Sequence, residues 1–134
     1  MFLDQYEYKK YLFCSSFCML FASIISYIKN DSYKGIYYII LFLTSINFWR
    51  DPIYGIRRNI DLFIVYVGIP FTLTQLYLLQ NDFYMYCILS MCLCCLVFFI
   101  MEFICVKYSS NKWVIFHMTL HLYASLLVVF ILFE

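Results

Sequence analysis

Long apolar runs separated by short polar turns dominate this sequence, and they restrict its fold more than any other feature. The last run, residues 113–133, is long enough for a helix to cross about 30 Å of hydrocarbon at roughly 1.5 Å per residue. Four earlier runs cover residues 11–28, 35–49, 60–79 and 83–106. The pattern predicts an all-α, polytopic transmembrane helix bundle of about five spans, formed as a single domain over residues 1–134.

The composition favours a lipid bilayer as the solvent of this chain. Hydrophobic residues make up 66% of the sequence and charged residues 13%, whereas a soluble domain is nearer half apolar and a quarter charged. A chain of 134 residues cannot enclose that much apolar surface in a water-soluble core. The net charge is +1 and no basic patch is evident, so nucleic acid is not an expected partner. Other membrane protein subunits stay open as partners.

Seven cysteines all fall inside apolar runs, and their odd number and placement do not match a secreted disulfide framework. We expect them to act as small packing residues. The N-terminal segment is acidic before it is basic and lacks a small-residue cleavage site, so the first run is expected to belong to the mature structure.

Basic residues are divided unequally between the two ends of the predicted spans. Five spans place the N-terminus and the loops at residues 50–59 and 107–112 on one side. That side has seven of the nine basic residues and the opposite side has two. The seven are Lys9, Lys10, Arg50, Arg57, Arg58, Lys107 and Lys112. The positive-inside rule therefore predicts a cytoplasmic N-terminus.

Polar and ionisable residues from four spans lie at similar depth near that basic side. Counting from the loops, Ser45, Asp61, Glu102, His117 and His121 lie within roughly 5 to 14 Å of the boundary. Ionisable side chains inside a membrane are costly and are candidates for function. The sequence therefore predicts one polar site in the inner leaflet.

Structural roles are also open for these residues. Asp61 can cap the N-terminus of the third span. Glu102 can extend to the cationic interface or pair with a loop arginine. His117 and His121 are four residues apart, so their rings lie on one helix face and can meet one ion. A metal site needs a third ligand, which Asp61 or Glu102 can supply.

The order of these residues resembles a pattern in a superfamily of membrane hydrolases. Ser45 precedes Trp49 by four positions, Asp61 opens the next span, and His117-M-T-L-His121 lies in the last span. This arrangement is similar to that of the alkaline ceramidases and the progestin/adiponectin-receptor-like proteins. In that superfamily three histidines bind zinc, which activates water against a lipid amide or ester. Here Trp49 stands where the first zinc histidine would be, and five spans are predicted instead of seven.

The resemblance implies a metal-dependent, lipid-directed hydrolase-like protein. Zinc would be held by His117 and His121 with Asp61 or Glu102, and the catalytic residues would be Asp61 and Ser45, the latter steadying the oxyanion. The alternative is a non-catalytic membrane subunit of a viral or organellar assembly, in which the polar residues join helices. A proton or ion path is less favoured because the polar residues occupy one leaflet.

Overall fold

The computed structural model describes residues 5–52, 55–78, 81–108 and 110–132, and these residues are helical with no strand among them. In chain order the helices are α1 (Gln5–Ser15), α2 (Phe17–Ile28), α3 (Ser32–Arg50), α4 (Ile56–Leu78), α5 (Asp82–Lys107) and α6 (Trp113–Leu132). Helices α1 and α2 are separated by Ser16 alone and make up the first predicted span. The all-α prediction is confirmed; the predicted span ends at residues 79 and 133 lie outside the described residues.

The first span is interrupted where two serine hydroxyls donate to one backbone carbonyl. Ser15 Oγ and Ser16 Oγ each lie 2.9 Å from the Leu12 carbonyl oxygen. Hydrogen bonds of this kind compete with the helical backbone ladder and often bend a helix. Ser16 Oγ also lies 3.1 Å from Ser45 Oγ, so the interruption is held against α3.

The turn between α2 and α3 is built from local capping interactions. Asn30 has a left-handed φ of 60°, and the Asp31 amide donates to the Ser26 carbonyl at 2.9 Å, which closes the end of α2. The Asp31 side chain then accepts from the Lys34 amide at 3.1 Å and caps α3. Helix α3 consequently begins at Ser32, before the predicted start at residue 35.

Within the described residues, four helical stretches are long and apolar enough to cross a membrane, as expected of an integral membrane protein. They are Glu7–Ile28, Ile56–Leu78, Asp82–Lys107 and Trp113–Leu132. Helix α3 has 19 residues, or about 28 Å of length, but it is not among these four. Eight of its residues are buried, so other helices, rather than lipid, cover much of its surface.

The packing leaves an opening between α4 and α5. Helix α2 packs against α3 and α6, α4 packs mainly on α3, and α5 packs mainly on α6. Although α4 ends at Leu78 and α5 begins at Asp82, these two helices make few contacts with each other. They must therefore diverge along their lengths. We call the region between these two helices the α4–α5 groove.

Apolar residues form two separate core clusters along the bundle. One lies at the end where α3 finishes and α6 begins, and consists of Leu12, Phe48, Trp49, Cys105, Trp113 and Val114. The other consists of Met19, Ala22, Tyr38, Leu41, Phe42 and Val128. All seven cysteines are free thiols, but only Cys105 is buried, in the first cluster, whereas Cys14 and Cys94 are exposed. The packing role expected of them is therefore seen in full only for Cys105.

Candidate polar site in the α4–α5 groove

A histidine–carboxylate pair joins α5 to α6. His117 Nδ1 lies 3.0 Å from Glu102 Oε1, and both side chains are about four-fifths buried, with relative exposures of 21% and 19%. This interhelical pair fixes the imidazole orientation. When Nδ1 donates its proton to the carboxylate, Nε2 of the neutral ring is left as a hydrogen-bond acceptor. Two structural roles were considered for Glu102: extension to the cationic interface and pairing with a loop arginine. Its observed partner is His117, so neither role applies.

The second histidine is held by α1. His121 Nδ1 lies 2.8 Å from Ser15 Oγ, and the rings of His117 and His121 have centroids 4.8 Å apart at an interplanar angle of 68°. The i, i+4 spacing therefore places the two imidazoles next to each other, as predicted. Ser15 was not predicted as a site residue; its only sequence signal is a serine pair inside an apolar run.

Asp61 approaches the histidines from α4. Its side chain interacts with the Thr44 hydroxyl on α3 and lies within electrostatic range of His117. Its Oδ1 atom is buried and has no hydrogen-bond partner among the described residues. Arg57, one turn earlier on the same helix, pairs instead with Asp51 at 3.6 Å. Asp61 Oδ1 is thus a buried acceptor without a hydrogen-bond partner among the described residues.

Two tryptophans form an aromatic wall behind His117. The Trp49 and Trp113 rings have centroids 6.4 Å apart at an angle of 29°. Their centroids lie 5.2 Å and 6.4 Å from that of His117. Both indole Nε1 atoms are buried and, within the described part of the chain, neither has a hydrogen-bond partner. Such groups are uncommon in folded proteins and call for an explanation.

The predicted site residues are thus brought together only in part. Glu102 and His121 each contact His117, and Asp61 lies within electrostatic range of it; we call these four residues, which come from three helices, the polar cluster. Ser45 is 3% exposed and its hydroxyl contacts Ser16 at the helix interruption. Thr44, one residue earlier, is the α3 hydroxyl that approaches Asp61.

The polar cluster does not fit the metal site that the resemblance implies. Across residues 5–52, 55–78, 81–108 and 110–132, no three His, Cys, Asp or Glu side chains are grouped to hold a metal ion. Glu102 pairs with the Nδ1 atom of His117, and a carboxylate in this position typically orients a histidine instead of binding the metal itself. Trp49 occupies the space beside His117 and has no ligating atom.

No family model, curated protein or solved structure matches this chain.

Proposed function

We propose that this chain binds the head of a membrane lipid in the α4–α5 groove and hydrolyses an ester or amide bond there, with His117 as the proton acceptor. The observation that carries the proposal is the 3.0 Å pair between His117 Nδ1 and Glu102 Oε1. A carboxylate in this position orients the imidazole and stabilises the imidazolium that forms when Nε2 takes a proton.

The reaction needs only water and the lipid carbonyl. A water molecule attacks the carbonyl carbon while its proton passes to His117 Nε2. The tetrahedral intermediate then collapses, the carbon–oxygen or carbon–nitrogen bond to the leaving group breaks, and His117 returns the proton to the leaving atom. The products are a fatty acid and an alcohol or amine. No step requires a metal ion.

The unpaired indole N–H groups suit the developing oxyanion. Trp49 and Trp113 both contact the His117 ring, and each has a buried N–H without a partner among the described residues. Donors aimed at developing negative charge are worth more in a water-poor site than in bulk water. This role replaces the one that the resemblance implies for Ser45.

The groove supplies a route for a lipid to reach the polar cluster. Because α4 and α5 diverge, the cluster is approached from the side, between two helices that are long and apolar enough to face hydrocarbon.

The test is acyl release from defined lipids in vesicles containing the purified chain. Ester-linked glycerophospholipids and amide-linked N-acyl lipids would carry labelled acyl chains, and free fatty acid would be measured. We expect release by the wild type and a loss of about 10²-fold or more in His117→Ala. Asp82→Asn, at the exposed start of α5, is the matched control. Equal release by the wild type and His117→Ala would refute the catalytic role.

A non-catalytic membrane subunit is the second candidate. It is favoured by the interhelical contacts of the cluster, since His117 pairs with Glu102 across α5 and α6 and His121 contacts Ser15 on α1. The polar cluster would then serve only to join α4, α5 and α6. Intact folding with no release from either lipid class would support this candidate against the first.

A further inference from the structure

We infer that Ser15 is the nucleophile that first accepts the acyl group, with His121 as the base that takes its proton. The inference deepens the proposed function and rests on it, because it divides the hydrolysis into two acyl transfers. The observation that carries it is the 2.8 Å contact between Ser15 Oγ and His121 Nδ1. A serine hydroxyl within hydrogen-bond reach of a base is the arrangement that nucleophilic catalysis requires.

Ser15 Oγ is within reach of two acceptors, and one of them already has other donors. The Leu12 carbonyl oxygen lies 2.9 Å from Ser15 Oγ, but it also accepts from the Ser16 hydroxyl at 2.9 Å and from the Ser16 amide at 3.2 Å. A carbonyl oxygen has two lone pairs, so the two donors of Ser16 are sufficient for it. The single hydroxyl proton of Ser15 can therefore rotate to His121 Nδ1, and the ring proton of the neutral imidazole is then on Nε2.

The two serines at the interruption between α1 and α2 have different surroundings. Ser16 is fully buried, and its hydroxyl contacts Ser45, which is 3% exposed. Ser15 is the last residue of α1 and is only partly buried, and Cys14 beside it is exposed. A substrate carbonyl can therefore reach Ser15 but not Ser16, which makes Ser16 the matched control for its neighbour.

Ser15 is connected to the pair that carries the proposed function. The His121 ring packs against the His117 ring with centroids 4.8 Å apart, and His117 Nδ1 in turn lies 3.0 Å from Glu102 Oε1. The nucleophile, its base and the His117–Glu102 pair thus form a continuous series of contacts across α1, α6 and α5. An acyl group on Ser15 would be separated by a single imidazole from the histidine that activates water.

Two acyl transfers follow from this arrangement. Ser15 Oγ attacks the lipid carbonyl carbon while its proton passes to His121 Nδ1. The tetrahedral intermediate collapses, the bond to the alcohol or amine breaks, and the leaving atom takes the proton from His121, which leaves the acyl group as an ester of Ser15. Water then attacks this ester with its proton passing to His117 Nε2. When the carbon–oxygen bond breaks, that proton returns to Ser15 Oγ and the fatty acid leaves.

The test is covalent labelling of the purified full chain with a fluorophosphonate, a reagent for nucleophilic serines. Ser15 Oγ would form a bond to phosphorus, fluoride would leave, and the hydroxyl proton would pass to His121. The intact mass gives the extent of labelling, and peptide mapping gives its position. We expect one adduct in the wild type, on Ser15. An adduct on another residue, or no adduct, would overturn the inference without recourse to any variant.

Variants distinguish a nucleophile and its base from a hydrogen bond that only joins α1 to α6. Ser15→Ala should not be labelled, and Ser16→Ala should be labelled at the wild-type rate. His121→Ala should be labelled about 10²-fold more slowly, because the proton acceptor is lost. Circular dichroism of each variant would establish that the bundle remains helical. Equal labelling rates in the wild type and a folded His121→Ala would contradict the role of His121 as the base.

Acyl release from vesicles separates this inference from the proposed function. Ser15→Ala should release labelled acyl chains about 10²-fold more slowly than the wild type. Release at the wild-type rate from this variant would overturn the inference and leave direct attack by water, with His117 as the proton acceptor. An adduct on Ser15 without acyl release from either lipid class would instead refute the proposed lipid hydrolysis, while the reactive Ser15–His121 pair would stand.

Discussion

The carboxylate of Glu102 lies 3.0 Å from His117 Nδ1, and this contact joins α5 to α6 beside the α4–α5 groove. If it orients a catalytic imidazole, Glu102→Gln should lower acyl release by about 10²-fold while leaving the helical content unchanged. The glutamine retains similar shape but cannot stabilise an imidazolium by charge. Initial rates measured across the neutral pH range would check this, because loss of the carboxylate should also move the pH profile. A variant as active as the wild type, with the same profile, would exclude that role.

Trp49 marks the difference between this polar cluster and a three-histidine metal site. Its ring centroid is 5.2 Å from that of His117, so Trp49→His places a third imidazole beside the first two. We expect the variant to purify with more zinc than the wild type, and Trp49→His/His117→Ala to lose the added metal, because two ligands are too few. Elemental mass spectrometry gives the metal content. Equal zinc in all three proteins would contradict this placement of Trp49.

Tyr37 packs into the notch that Gly68 leaves on α4. A Cβ at position 68 would overlap the Tyr37 hydroxyl and lie 2.9 Å from the ring Cζ, and the Tyr37 ring is stacked on Phe71 with centroids 5.0 Å apart. Gly68→Ala should therefore lower stability by about 1 to 3 kcal/mol through overpacking. Thermal unfolding in detergent would measure the change. Adding Tyr37→Leu should recover part of the loss; failure to do so would point to a cause other than this contact.

The stabilisation that the Asp31 cap gives to α3 is expected to depend on pH. Burial alone raises the pKa of Asp31, but hydrogen bonds from the Lys34 side chain and amide, together with the Lys34 charge, outweigh it and lower the pKa below the usual 3.8. The stabilisation is therefore present above that value and is lost as the pH falls through the folded-state pKa. Asp31→Ala should cost about 1 kcal/mol at neutral pH.

The pH dependence distinguishes this cap from a general effect of removing a carboxylate. The difference in melting temperature between wild type and Asp31→Ala should shrink on acidification, as the wild-type carboxylate becomes protonated. Asp82→Ala, which lies after the Asn81 cap of α5, provides the comparison. A difference that stays constant down to acidic pH would argue against an ionised cap.

Periodicity was sufficient to predict the relation of His117 to His121, because residues four apart on a helix share a face whatever surrounds them. The same reasoning placed Asp61 and Glu102 at the depth of the histidines. It did not predict which side chains would pair. Glu102, one of two candidates for a third metal ligand, contacts His117 Nδ1, while Ser45 contacts Ser16. These choices depend on how neighbouring helices are rotated about their axes, which the spacing within one helix does not specify.

The sequence by itself determined that the chain forms membrane-length helices and that ionisable groups collect near one end of the bundle. Hydropathy, turn residues and caps act over a few residues, so they can be read locally. Only the tertiary structure decided that α4 and α5 diverge, that Ser15 on α1 holds His121, and that Trp49 rests against His117. Those contacts join residues far apart in the chain, and they follow from the mutual packing of whole helices.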